Sequence, residues 1–130
     1  MTDYPYVFIG PNAIIGTNCK IQSFAFIPDH VIIRDNVFIG PHVCFTNDKY
    51  PPSHGAWRDL PPTIVEDDVS IGAGAIILPN IVLGRGCKIA AGAVVTKSVK
   101  PFTTVAGSPA HEIRSDWSSG VRRTASHESY

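Results

Sequence analysis

The sequence predicts an all-β fold, a parallel β-helix in which each six-residue unit forms a short strand and a turn. Two patterns predict it. Every sixth residue from Ile9 is large and apolar: Ile9, Ile15, Ile21, Ile27, Ile33, Ile39 and Phe45, then again Val65, Ile71, Ile77, Leu83, Ile89 and Val95. The residue four positions further on is usually small or β-branched, as in Ala13, Cys19, Ala25, Val31, Val37, Val43, Val69, Ala75, Ile81, Cys87, Ala93 and Val99.

A period of six fits neither a helix nor one straight strand. Six residues of α-helix turn the chain by about 600°, which scatters the apolar side chains around the axis. One flat strand with this spacing would bury mostly polar residues. A strand plus a tight turn solves both problems. The apolar residue points inward, the small residue fits the corner, and Gly or Asn supplies backbone freedom there. Three units close a triangular coil of 18 residues, and coils stack at about 4.8 Å. Residues 9–44 and 65–100 supply two coils each, for a helix of about four to five coils. A solenoid this small needs caps or an oligomer.

Residues 1–114 form the expected domain. Within it, Ser98–Arg114, with Pro101 and Pro109, reads as a loop leaving the helix. The tail 115–130 is rich in Ser, Arg and Gly. Its composition predicts disorder, with a subunit-contacting segment as the alternative.

Eleven basic and eleven acidic residues balance, which argues against attraction to nucleic acid or an anionic membrane surface. Cys19, Cys44 and Cys87 lie far apart and form no metal-ligand spacing. Cys19 and Cys87 fall at small-residue positions, so they read as buried small hydrophobes in a reducing cytoplasm. No signal peptide and no membrane-spanning run is visible.

One stretch breaks the repeat. Residues 46–64 equal one coil plus one residue but carry four prolines and no hexad pattern, which predicts a long external loop. Asn47, Asp48, Tyr50, His54, Trp57, Arg58 and Asp59 are concentrated there, the densest polar and aromatic set in the chain. Loops of this kind on a rigid scaffold tend to carry function.

The repeats, FTND at 45–48 and YPPS at 50–53 resemble the hexapeptide-repeat N-acetyltransferases that modify nucleotide-linked amino sugars. So do IGAGAIILPNIVLG at 71–84, IAAGAVVTKSV at 89–99 and VAGSPAHEIR at 105–114. The second half also resembles the maltose and galactoside O-acetyltransferases. The resemblance implies a left-handed coil, a homotrimer with active sites between adjacent helices, and acetyl-CoA as co-substrate. It places Ala73 and Ala91 at turns whose backbone N–H groups meet the pantetheine arm. Thr96, Lys97 and Arg114 align with positions at the nucleotide end, where cations suit phosphates. Phe24 stands in a segment that lines the sugar-nucleotide pocket, although QSF at 22–24 replaces the family's frequent WHF. Tyr50, on the loop, is the second expected acceptor contact.

The nucleophile separates the branches. A sugar hydroxyl needs a general base, normally His. Asn47 falls approximately where the O-acetyltransferases carry that His, and Asn takes no proton at neutral pH. This favours N-acylation, with Asn47 positioning the amine and Asp48 or His54 assisting deprotonation. Asp48 has a competing role as a turn cap. Ser70 replaces a Trp of the O-acetyltransferases, which also weakens that branch. Two other classes remain open. One is a zinc enzyme like the γ-class carbonic anhydrases, built on His30, His42 and His54, although their spacing of 12 puts His30 and His42 on different sides. The other is a non-enzymatic scaffold. The acyltransferase reading requires no metal.

Overall fold

A computed structural model describes residues 2–113, with side chains from Tyr4 onward. Arg114 and the tail 115–130 lie outside the described residues, and so do the expectations attached to them. The strands visit three sheets in strict rotation. The first face holds β1 (Thr2–Asp3), β4 (Lys20–Ile21), β7 (Phe38–Ile39), β10 (Ser70–Ile71), β13 (Lys88–Ile89), β15 (Thr104–Ala106) and β16 (His111–Glu112). The second holds β2 (Phe8–Ile9), β5 (Phe26–Ile27), β8 (Cys44–Phe45), β11 (Ile76–Ile77) and β14 (Val94–Val95). The third holds β3 (Ile14–Ile15), β6 (Val31–Ile33), β9 (Thr63–Val65) and β12 (Val82–Leu83). All pairing is parallel except β15 with β16, and the coil is left-handed.

The repeat sets the register. Ile9 pairs with Ile27, Ile21 with Ile39, and Ile15 with Ile33. These side chains and their counterparts above fill the core, from Ile21 to Val95 at no more than 3% exposure. Nearly every corner spends one residue at positive φ: Tyr6, then Asn18, Phe24, His30, Asn36 and His42 in steps of six, and Asp68, Gly74, Asn80, Gly86 and Gly92 likewise, with Asn12 the exception. Asn, Asp and Gly tolerate that conformation best.

The long loop does not replace a coil. Val65 comes twenty positions after Phe45 where six would complete the side, yet Ile33 pairs directly with Val65. Residues 46–62 are therefore extruded from the corner between β8 and β9, and the rungs continue undisturbed.

Ser98–Ile113 does not leave the helix, contrary to expectation. Val99 bridges to Leu83 on the third face, and β15 pairs in parallel with β13. Val105 partners Ile89 at a separation of sixteen instead of eighteen, because Pro101 cuts the last side short. The chain then reverses and β16 closes a hairpin on β15. Val99, Val105 and Ala110 are buried, so this segment caps the top of the core. At the bottom, Val7, Ile9, Ala13 and Ile15 are only partly covered.

Candidate active site

Three corners join the faces. The third corner, from third face to first, is closed by its own side chains in its lower rungs, whereas the N–H groups of Asp67 and Arg85 above meet no acceptor among the described residues. Thr17 and Asp35 donate their backbone N–H groups to the carboxylates of Asp35 and Asp67, one rung above each. At the second corner, Asn12 donates its N–H to Asp29. These carboxylates satisfy amides that a tight turn leaves without a ladder partner.

The first corner differs in its lining, because none of its turns carries a carboxylate. Ala73 and Ala91 occupy the same place in the repeat as Thr17 and Asp35. Their N–H groups meet no acceptor among the described residues. Both residues are exposed, and each is followed by a positive-φ glycine whose missing side chain leaves open space: a Cβ on Gly74 or Gly92 would have no atom within 4 Å. The upper half of this corner is thus a bare channel with two outward amides one rung apart. A hollow of about 220 Å³ on the first face, bordered by Ser70, Gly72, Lys88 and Ala90, opens beside Ala91.

Lower down, the same corner is filled with rings. Tyr6 stacks on Phe24 at 5.5 Å, and Phe24 on His42 at 4.9 Å, with interplanar angles of 5° and 18°. His42 lies directly below Gly74, whose N–H donates to the Pro41 carbonyl. Phe24, an expected acceptor contact, is the middle ring of this column.

The remaining candidates stand at the second corner. Asn47 lies one residue beyond the start of the loop, and its Nδ2 donates to the Asp29 carbonyl at 3.1 Å, which leaves Oδ1 available as an acceptor. The Asp48 carboxylate accepts the N–H groups of Tyr50 and Ser53 at 3.3 and 3.0 Å, so it closes the loop on itself. Tyr50 is 72% exposed. His54 is exposed on the loop, which then turns through a short 3-10 segment, Ala56–Asp59. Trp57 packs edge-on against His30, with the Arg58 guanidinium 4.4 Å above the Trp57 ring. Thr96 and Lys97 are exposed at the top of this second corner.

One protomer therefore does not unite its expected site. Ala73, Ala91 and Phe24 line the first corner, whereas Asn47, Asp48, Tyr50, His54, Thr96 and Lys97 line the second, with the second face between them. The three histidines separate likewise: His42 is at the first corner, His30 at the second and His54 on the loop. Among the described residues no group of three or more His, Cys, Asp or Glu could hold a metal ion. Sequence reasoning missed one group, Asn80, whose buried Oδ1 has no donor among the described residues while its Nδ2 bonds to the Pro61 carbonyl. A buried acceptor without a donor at the second corner marks a place where a ligand or neighbour can supply one.

Two of the thiols are held protonated by burial. Burial raises the Cys44 thiol above its usual range and pushes Cys87 up to about 12, so both stay protonated near neutrality.

Comparison with known proteins agrees with this geometry. Residues 12–47 and 62–97 match the bacterial transferase hexapeptide (six repeats) family. A protein of Schizosaccharomyces pombe provisionally named an acetyltransferase is 38% identical over 118 residues, covering 86% of this chain and 55% of the relative. The 2,3,4,5-tetrahydropyridine-2,6-dicarboxylate N-acetyltransferase of Staphylococcus aureus is 43% identical over 79 residues, 61% of this chain and 30% of that protein. This chain thus spans between 30% and 55% of the length of those relatives. Among solved structures, a Vibrio cholerae hexapeptide-repeat acetyltransferase complexed with acetyl coenzyme A superposes with a TM-score of 0.71 at 27% identity, over 88% of this chain and 66% of that one. A serine acetyltransferase of Brucella abortus gives 0.68 at 36% identity, over 81% and 41%. The chain belongs to the bacterial hexapeptide transferase family, and the relatives named above are acetyltransferases.

Proposed function

We propose that the chain is an acetyl-CoA-dependent N-acetyltransferase acting on an amine of a nucleotide-linked amino sugar. The observation that carries this is the pair of uncapped amides at Ala73 and Ala91 beside the glycine channel. A pantetheine arm is long, narrow and rich in amide carbonyls, so outward N–H groups one rung apart suit it.

The working unit is a homotrimer with its second faces turned toward the axis. That face carries an outward apolar column of Phe8, Phe26, Cys44, Ile76 and Val94, with Phe8 half exposed. The third face is also apolar, through Ile14, Ile32, Ile64 and Val82. Its far corner, however, is polar, with Asp35 and Asp67 capping its lower rungs. With the second faces inward, the first corner of each copy meets the second corner of the next. The amides of Ala73 and Ala91 then share a seam with Thr96 and Lys97 of the neighbour, near the phosphate end of the co-substrate. Arg114 belongs to the same proposal. Lower in the seam, Asn47 Oδ1 accepts from the acceptor amine, with Tyr50 and Phe24 against the rest of the acceptor. Asp48 holds the loop in shape, and His54 stands on its rim. Three free thiols suit a reducing cytoplasm.

The similarity to an N-acetyltransferase supports an amine, whereas the similarity to serine acetyltransferases favours a second reading with a hydroxyl acceptor. Thiol release from acetyl-CoA, measured against nucleotide-linked amino sugars and their hydroxyl counterparts, separates them. Turnover with amines alone is the expected result, and turnover with hydroxyl sugars alone would reject N-acylation. Asn47→Ala should lower turnover about tenfold or more; an unchanged rate would remove Asn47 from the site.

A further inference from the structure

We infer that His42 is the general base of the transfer, acting across the subunit seam on the amine that Asn47 of the next copy orients. This rests on the acyl-transfer reading above. His42 and Asn47 flank the same strand, β8, and so lie at the same height at opposite ends of the second face. In a trimer with that face inward, His42 of one copy meets the Asn47 end of its neighbour.

His42 also stands at the floor of the glycine channel. Gly92 and Gly74 leave the first corner open over two rungs, and the next residue down the column is the His42 ring. An arm running past Ala91 and Ala73 therefore ends with its thioester over His42. The ring is exposed, and its nitrogens bond to nothing among the described residues. Its orientation is fixed by stacking on Phe24 at 4.9 Å. His42 sits at φ 61, the conformation shared by the equivalent turns of the helix.

The other candidates lack this placement. Both Asp48 oxygens accept backbone N–H groups within the loop, and His54 is held by no stacking partner. In the step, the amine nitrogen attacks the thioester carbonyl carbon and a C–N bond forms. The nitrogen's proton passes to the His42 imidazole. The tetrahedral intermediate collapses with cleavage of the C–S bond, and the imidazolium returns the proton to the leaving thiolate. The products are an amide and free coenzyme A.

His42→Phe preserves the ring column, since Phe24 occupies the equivalent turn one rung below, but accepts no proton. With the same nucleotide-linked amino sugars, it should lower kcat about 100-fold and leave the KM for acetyl-CoA within about twofold. Imidazole added to His42→Gly should restore part of the lost rate, because the vacated turn extends the channel. A His42→Phe protein turning over at the wild-type rate overturns the assignment, and so does a His42→Gly protein that imidazole does not rescue. A wild-type protein that releases no thiol with any acceptor overturns the acyl-transfer reading and this assignment with it. Loss confined to the His42 variants leaves the reading standing.

Discussion

The lower and upper halves of the first corner share one backbone conformation and are filled in opposite ways. Tyr6, Phe24 and His42 occupy left-handed turns in the lower rungs, where Gly74 and Gly92 do so above. Below, Pro5 and Pro41 carry no N–H at the turn, Ser23 between them does, and rings cover the corner. Above, Ala73 and Ala91 present theirs to solvent. Each aromatic residue accepts about 1–2 kcal/mol of backbone strain, which stacking offsets by about 0.5–1.5 kcal/mol per ring pair. This corner is therefore not merely a turn. One half is filled, the other open, and they meet at His42.

Converting one half into the other gives the largest expected effect. Gly74→Phe would add a fourth ring to the column. The backbone there, at φ 72, nearly matches that of Phe24 at φ 68, and nothing obstructs the new side chain. The fold should persist while acetyl-CoA turnover falls about 100-fold, since a blocked arm cannot bring its thioester into position. Retained turnover would mean the arm runs elsewhere. A smaller effect should come from the other side of the seam. Lys97→Ala should raise the KM for acetyl-CoA about tenfold, the worth of one charge-assisted hydrogen bond, without changing kcat. The smallest belongs to the foot of the ring column. Tyr6→Asn trades a stacked ring for a residue at ease in the left-handed region, so urea denaturation should shift stability by no more than about 1 kcal/mol. A larger loss would show that the ring column holds the lower coils together.

Most of the fold is legible in the sequence because the repeat is written in the inward side chains themselves. Ile9 through Phe45 and Val65 through Val95 announce the register by their spacing alone. The caps are harder to read. Pro101 and Pro109 suggest an exit because they break the hexad, yet the chain only shortens one side and rejoins the first face at Val105. Position 3, a rung of the helix in backbone pairing with Ile21, is an aspartate and so carries no apolar signal. At the site, Asn47 and Asp48 stand out by the company they keep in the loop. Two further signals are less conspicuous. The 18-residue spacing of Tyr6, Phe24 and His42 marks an outward column as surely as the isoleucines mark the inward one. The contrast of Asp35 and Asp67 with Ala73 and Ala91 at equivalent turns tells which corner carries carboxylates and which is bare. What no single residue reveals is that the two halves of the expected site lie at different corners, because that depends on how many sides separate them.

The loop has a consequence for how the chain assembles. Rungs below it join residues eighteen apart, as Ile9 and Ile27, whereas Cys44 and Ile76 are thirty-two apart across it. Closing the longer segment costs only about 0.5 kcal/mol more in chain entropy. Folding can therefore start in either block and zip outward one rung at a time. The single pause falls where a corner must wait for fourteen additional residues to find their place, and the segment that delays folding is the one that carries Asn47.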